Sequence, residues 1–564
     1  MPTIRILPED RSIVVPPGTI ILEAARAAGV TIEAPCNGAG TCGKCRVFVT
    51  DAEIASLRLP DGSGPFEAGE GISAVLACHG EIVADLTVTV PARKEEGLKI
   101  AAHGVRGEVT LRPNVVKRYN PDRHETAVLA GDEPLAVEGG DTSAERFGLV
   151  VDIGTTTLVA ALIDLADGRE LATASALNPQ SLHAQDVLSR IRFASTPDGL
   201  EEMRRSVVEE INRLIASVVG QAGVGPDRVY EAVLAGNTTM IHLACGVDPA
   251  SLGKYPYTVE FRGGCHRSAA ETGLAIAPAG LVYLPPAISA YVGADITADI
   301  LATRLHKEDG TTLLVDIGTN GEMAIVKDGR LWATSTAAGP AFEGMNIACG
   351  MRAGKGAIER FHVRGDGDVE IGVIGGGEAT GICGSGLIDI VAELVREGVI
   401  GLNGRFVAPD KVPLPKLRER LVTRDGKPVF HLAESVHLSQ QDIRQVQLAK
   451  GAIRAGVDLL LRHLGVEAGE VRSVLIAGSF GYHLRAESLI TLGLLPPAFA
   501  GKIEFVGNTS KTGAETILLD RECRPETVLL AGGVEVVELA AVDGFDKAFV
   551  SSLGFRVVNV AASG

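Results

Sequence analysis

The strongest constraint on this chain is a phrase it states twice. Residues 149–157 read Leu149, Val150, Val151, Asp152, Ile153, Gly154, Thr155, Thr156, Thr157. Residues 313–321, 164 positions later, read Leu313, Leu314, Val315, Asp316, Ile317, Gly318, Thr319, Asn320, Gly321. Each is an apolar β run that meets Asp-Ile-Gly-Thr and returns as a second run, Leu158 to Ile163 or Met323 to Val326. Asp167-Gly168 and Asp328-Gly329 close the second runs with hairpin signals. The physical reading is two strands bent around a glycine. Backbone N–H groups and threonine hydroxyls face the open end of the turn, with one carboxylate beside them. Two such turns facing each other can grip a chain of phosphates, their aspartates holding Mg2+ through oxygen ligands. A lone Asp-x-Gly is usually an ordinary turn, but a recurring nine-residue context marks a duplicated unit.

A length of 564 residues predicts several domains. The net charge of −17, with no local Lys/Arg cluster to offset it, argues against nucleic acid as a partner. No stretch approaches the roughly 18 apolar residues that span a bilayer, so no membrane partner is expected. The start, Met1 to Arg11, carries charges and prolines rather than a signal peptide's apolar core. Of nine cysteines, four lie within the first 78 residues; Cys245, Cys265, Cys349, Cys383 and Cys523 are scattered. A disulfide framework belongs to short secreted chains, so the early cluster points to a metal site in a reducing, cytoplasmic compartment.

Residues 2–16 alternate around Pro8-Glu9-Asp10 as a β-hairpin. Thr19 is expected to cap a short helix that Gly29 ends. A glycine-rich loop, a strand Arg46–Val49 and a closing strand with Leu86, Val88 and Val90 follow. The cysteines read Cys36-x5-Cys42-x2-Cys45, then Cys78 after 32 residues. Four thiolates in this spacing can hold a [2Fe–2S] centre, with Gly38, Gly40 and Gly43 letting backbone N–H groups approach its sulfurs. Zinc is the rival, but a zinc site more often has two C-x2-C pairs and only one exists here. His79 is read as a surface or cluster-rim residue. Residues 1–92 resemble a [2Fe–2S] ferredoxin of the adrenodoxin-like type, whose β-grasp fold the hairpin, helix, loop and strand order fits.

Residues 93–146 read as a linker with a small intervening element or as a plain connector. Beyond them, Ala184–Ala194 and Leu200–Ala222 are expected helices; Met203, Val207, Ile211, Leu214 and Val218 stripe the second. A buried strand, Ala232–Ala235, leads to Gly236-Asn237-Thr238-Thr239 and a helix start, and another helix begins near Gly293. The scheme repeats from Thr311. Cys383-Gly384-Ser385-Gly386 opens a helix whose N–H groups can hold an anion, with Ser385 as a simple N-cap the equal alternative. Ser439 and Asp442 form a capping box for a long helix, Ile443 to Leu464. Buried strands then precede Gly478-Ser479-Phe480-Gly481 and Gly507-Asn508-Thr509-Ser510, small residues that let a flat base approach the backbone or simply turn strand into helix.

Two Asp-Ile-Gly-Thr turns followed by Ala-Gly-Ser-Phe-Gly resemble the phosphate-one, phosphate-two and adenosine elements of the acetate and sugar kinase/Hsc70/actin (ASKHA) superfamily, over residues 147–542. The expected fold is therefore multidomain, α+β and α/β. A β-grasp [2Fe–2S] ferredoxin (1–92) and a linker or small middle domain (93–146) precede a two-lobed actin-like ATPase (147–564). Its lobes are expected at about 147–308 and 309–545. The resemblance implies that Gly154, Thr155, Thr156, Gly318, Thr319, Asn320 and Gly321 meet phosphates, while Gly384 and Ser385 are candidates for cofactor binding only as a helix N-terminus. Gly478, Ser479, Phe480 and Gly481 would line the base and ribose, and Asp152 and Asp316 would organise Mg2+ and water. Glu322 could position water, against a reading as a solvated strand-start glutamate.

A ferredoxin fused to an actin-like ATPase resembles the reductive activators of corrinoid proteins, which use ATP to return a corrinoid from Co(II) to Co(I). That resemblance implies a [2Fe–2S] cluster, ATP and Mg2+ as cofactors. It also implies a corrinoid protein of a methyltransferase system as partner and an upstream reductase or ferredoxin as electron donor; a homodimer is left open. Two departures stand out: the segment between ferredoxin and ATPase is shorter than a full middle domain, and Cys523 stands alone where one subgroup has a C-terminal cysteine cluster. The physical logic holds independently. A plant-type [2Fe–2S] centre sits near about −400 mV, and each further 0.1 V costs about 2.3 kcal/mol per electron. Nucleotide-driven closure can supply this, since shifting a 1:99 balance to 99:1 takes about 5.5 kcal/mol. The rivals are an ATP-dependent activator of another low-potential metalloenzyme, a small-molecule kinase with a redox domain, and a redox-responsive scaffold that binds nucleotide without turnover.

Overall fold

The computed structural model describes residues 1–30, 32, 34, 45–60, 65–69, 71–91, 109–424, 426–478 and 484–556. In the N-terminal unit, Thr3–Leu7 pairs antiparallel with Arg11–Val14, as the alternation requires, and parallel with Leu86–Thr89. Arg46–Thr50, Ile72–Leu76 and Phe66–Gly69 complete a six-stranded sheet. The helix Ile21–Ala27 turns Ile21, Leu22, Ala24 and Ala25 onto this sheet, against Ile4, Ile6, Val47 and Val88. The expected cap is not Thr19. Thr19–Ile20 is extended and pairs with Glu81–Ile82, so Ile20 takes the cap position and the Thr19 hydroxyl donates to Pro16 O at 2.7 Å.

The stretch left open as connector or small element contains an antiparallel sheet of Val115–Asn120, Glu125–Ala130 and Glu133–Gly139. Val115 and Val128 pack on Tyr230 and Ala277 of the following unit. The Glu138 carboxylate seals that contact, accepting from Lys117 Nζ at 2.7 Å, Arg228 at 2.9 Å and Tyr230 OH at 3.0 Å.

Two six-stranded sheets carry the duplicated phrase. In the first, the order is Glu170–Leu177, Thr157–Asp164, Phe147–Ile153, Val229–Gly236, Leu281–Leu284, Cys265–Ser268. The second runs Ile503–Gly507, Ser473–Ala477, Thr312–Ile317, Gly321–Lys327, Arg330–Thr336, Val534–Val536. In each, the strand that ends in Asp-Ile-Gly-Thr is central, paired antiparallel with its return strand and parallel with a later one. The helix Pro197–Ala222 buries the expected stripe, Met203 to Val218, on the first sheet. Gln440–His463 follows the second, with Ser439 and Asp442 closing the capping box.

The two sheets exchange helices. Ala294–Thr303, reached from the first sheet, lays Ile296 and Ile300 on Leu314, Ala324 and Val326 of the second. Thr509–Leu519, reached from the second, lays Ala514, Ile517 and Leu518 on Val150, Ala161 and Val233 of the first. The two helices cross where Gly513 abuts Ala298: a Cβ there would sit 2.1 Å from Ala298 O. Each lobe is thus held partly by a helix of the other.

Candidate functional site

The duplicated turns face one another. At the first, Gly154 N–H donates to Thr157 O at 3.0 Å, and a Cβ at Gly154 would meet that oxygen at 2.5 Å, so only glycine fits. Asn237 donates from its amide to Thr155 Oγ1 at 3.0 Å and caps the helix Thr238–Cys245 by accepting from Met240 N. At the second turn, Gly318 N–H donates to Asn320 O at 2.9 Å, and Thr319 Oγ1 donates to Glu343 Oε1 at 2.8 Å. Thr156 Oγ1 and Thr319 Oγ1 lie 2.8 Å apart, 163 residues apart in sequence. The cleft around them holds about 690 Å3, open solvent at its mouth included.

Its walls are acidic. Asp152, Asp295, Asp316, Glu322 and Glu343 all line it. Asp152 accepts from Asn508 Nδ2 and Ser510 Oγ, both at 3.0 Å, yet burial still raises its pKa. Burial first, then repulsion from Asp152, pushes Asp295 up to about 7. Burial, then Asp295 and Asp152, does the same to Asp316, also to about 7. Glu322 is also raised well above the usual carboxylate range, by burial first and then by Asp295 and Asp316. Behind them Asp299, fully buried, accepts from Thr509 Oγ1 at 2.7 Å and is also raised well above the usual carboxylate range. The reading of Glu322 as solvated is therefore corrected: it is 5% exposed. The second turn is one residue tighter than the first, so Asp316 faces Glu322 across the strands where Asp152 faces Val159.

So many buried carboxylates together call for a cation. Among the described residues no three His, Cys, Asp or Glu side chains converge closely enough to cage a metal.

Other expected site residues are placed as follows. Gly478 lines the cleft, with φ +122°, and a Cβ there would sit 2.5 Å from Ile317 O. Ser479, Phe480 and Gly481 lie outside the described residues. Gly321 starts the return strand and its carbonyl accepts from Thr336 Oγ1, beside the cleft rather than in its lining. Gly384 and Ser385 are not brought to the cleft. Cys383 takes the cap position, a Cβ at Gly384 would meet Phe342 O at 1.7 Å, and Ser385 is buried within the first turn. The N-cap role expected for Ser385 falls instead to Cys383. Sequence reasoning offered Asn508 and Ser510 only as small residues that a flat base could approach, and gave Asn237 no site role; all three line the cleft. The signal was present: Gly-Asn-Thr-Thr at 236–239 and Gly-Asn-Thr-Ser at 507–510 are a second duplicated phrase. Asp295 and Glu343 carry no comparable local signal.

In the N-terminal unit, Cys45 precedes the strand Arg46–Thr50 and Cys78 follows its partner Ile72–Leu76, so the hairpin register brings them together. Their sulfurs are 3.3 Å apart, Cys45 fully buried and Cys78 9% exposed. That is too long for a disulfide and suits two thiolates converging on one cluster. Cys36 and Cys42 lie outside the described residues.

Comparison with known proteins agrees with this architecture. Residues 4–81 match the 2Fe-2S iron-sulfur cluster binding domain, 147–308 the RACo middle region, and 310–562 the C-terminal domain of RACo, the ASKHA domain. The family's middle region thus falls on the first lobe, 147–308, rather than on the segment that precedes it. A solved reductive activator for corrinoid, iron-sulfur protein is 32% identical, with a TM-score of 0.75 and 99% of each chain covered. The corrinoid activation enzyme RamQ of Eubacterium limosum is 34% identical over 67% of this chain and 65% of its own, so the match spans just under two thirds of that relative. A [Co(II) methylated amine-specific corrinoid protein] reductase of Methanosarcina barkeri is 26% identical over 72% of this chain and 77% of its own.

Proposed function

Because the chain belongs to the family of reductive activators of corrinoid proteins, we propose that it spends ATP to pass one electron to a Co(II) corrinoid protein, returning it to Co(I). Cys36, Cys42, Cys45 and Cys78 hold the [2Fe–2S] cluster, which supplies that electron after a reductase or ferredoxin has loaded it. The nucleotide's phosphates run between the two turns, where Thr155, Thr156, Thr319 and Asn320 present hydroxyl and amide groups. Asp152 and Asp316 hold Mg2+ through oxygen ligands and orient the attacking water. Asn508 and Ser510 fix the Asp152 carboxylate by two hydrogen bonds. ATP passes to ADP and phosphate, and closing of the cleft moves the lobes through their exchanged helices. No helix among the described residues is long and apolar enough to cross a membrane. We place the protein in a reducing, cytoplasmic setting on its thiol chemistry.

The observation that carries this reading is the meeting of the two duplicated turns, Thr156 on Thr319, in a chain whose other end converges cysteines. Anaerobically isolated protein is expected to show a one-electron paramagnetic iron signal after dithionite, and calorimetry with Mg2+ to show ATP uptake. Protein with no such signal, or with no adenine nucleotide uptake, contradicts the proposal.

A further inference from the structure

One buried cation stands behind the acidic cleft without a carboxylate to pair it. Arg190 lies in the short helix Val187–Phe193 and is fully buried. Its guanidinium donates to neutral acceptors: Thr155 O at 2.6 Å, Ala184 O, Gln180 Oε1 and Met240 Sδ, each at 3.0 Å. Asp186 and Glu343 act on it only at longer range. Burial pushes its pKa down to about 9, so it stays cationic at neutral pH. A charge in a dry interior is costly unless something offsets it, so its position asks for a function.

The fold offers a comparison. Thr155 and Thr319 are equivalent residues of the duplicated turns. Thr319 O is held by a neutral group, the Gly339 N–H at 2.8 Å. Tying back this carbonyl therefore does not need a cation. At the first turn all three carbonyls are held from behind: Gly154 O by Asn178 Nδ2 at 2.9 Å, Thr156 O by Asn178 N–H at 2.8 Å, and Thr155 O by Arg190. Peptides whose oxygens point backward turn their N–H sides toward the cleft. Among the described residues that line the cleft there is no Lys or Arg, against five carboxylates.

We infer that Arg190 is a positioning residue that makes the first turn selective for a polyphosphate. Its fixed charge, acting through the Thr155 carbonyl, holds the turn's amides toward an anionic chain and offsets the carboxylate field. The inference rests on the nucleotide reading above. It concerns the phosphates alone, so the affinity for a nucleotide should depend on Arg190 only as far as its phosphate number does.

The full-length protein is titrated calorimetrically with ATP and with AMP, both with Mg2+, as wild type, Arg190→Gln and Arg190→Lys. Arg190→Gln keeps amide donors and removes the charge; it is expected to weaken ATP at least tenfold and AMP less than threefold. Arg190→Lys keeps a charge and, at pH 6.5, is expected to bind ATP within about threefold of wild type. A buried lysine loses its proton more easily, so its ATP affinity is expected to fall about tenfold between pH 6.5 and pH 8, a range over which the wild-type guanidinium stays charged and its ATP affinity does not fall. That pH profile keeps the test decisive even if Arg190→Gln folds poorly. Equal losses of ATP and AMP in Arg190→Gln, or a flat Arg190→Lys profile, assign Arg190 a purely structural role and overturn the inference. Wild-type protein that binds no ATP overturns the nucleotide reading itself, a result separate from either.

Discussion

At the scale of single residues, the cleft is governed by carboxylates that cannot all be ionised together. Asp295 and Asp316 titrate near 7 in the folded chain, against about 3.9 when unfolded. The folded state therefore holds more protons between about pH 4 and 7. Stability contributed by these groups is complete below that window and lost as pH rises through it. Calorimetric melting without divalent ions is expected to show Tm falling from pH 5 to pH 7.5, by about 2–4 °C for each kcal/mol lost. Binding of Mg2+ and ATP should release protons and recover the loss. A Tm that is level or rising over that range contradicts the account. Asp316→Asn is expected to cut ATP hydrolysis by about 10²–10³, the scale of losing one preorganised charge-stabilising group, and to leave the iron signal unchanged. Asp152 and Asp316 were legible because a duplicated phrase carries them. Glu322 was named but given the wrong surroundings: only the register of the tighter second turn shows that it faces Asp316. Asp295 and Glu343 reach the cleft, and Arg190 the back of its first turn, from segments with no local pattern, which a single sequence cannot reveal.

At the scale of elements, the exchanged helices set how the lobes can move. Gly513 meets the Ala298 backbone, which cannot yield as a flexible side chain would. Gly513→Ala is expected to cost about 1–3 kcal/mol, the usual range for overpacking, and to loosen the Thr509 to Asp299 hydrogen bond; denaturant unfolding measures the first and ATP turnover the second. Ser439→Ala removes one side of the capping box ahead of Gln440–His463 and is expected to cost about 1 kcal/mol. Its effect should appear in stability and leave nucleotide affinity unchanged. The stripe of Pro197–Ala222 and the Ser439 box were readable because helical period and capping chemistry are local. Thr19 misled because it is also a local cap signal, overridden by a pairing with Glu81–Ile82 from sixty residues away. The exchange of helices was not readable, since each helix buries an apolar face whichever sheet receives it.

At the scale of the whole molecule, a 2Fe-2S iron-sulfur cluster binding domain and an ASKHA domain share one chain. The order of these units was visible because each announces itself by a compact motif. The small sheet at 115–139 was not, because half of its core, Tyr230 and Ala277, comes from far along the sequence. It fixes the stretch after the ferredoxin unit to the first lobe, so that lobe is the anchor from which the N-terminal unit is carried. The account's central claim is that nucleotide drives the electron uphill. The most direct test mixes the reduced protein with a Co(II) corrinoid protein and follows the cobalt absorption with and without Mg2+ and ATP. The account predicts Co(I) formation that requires ATP and is lost in Asp316→Asn. Co(I) appearing at the same rate and to the same extent without nucleotide would contradict it.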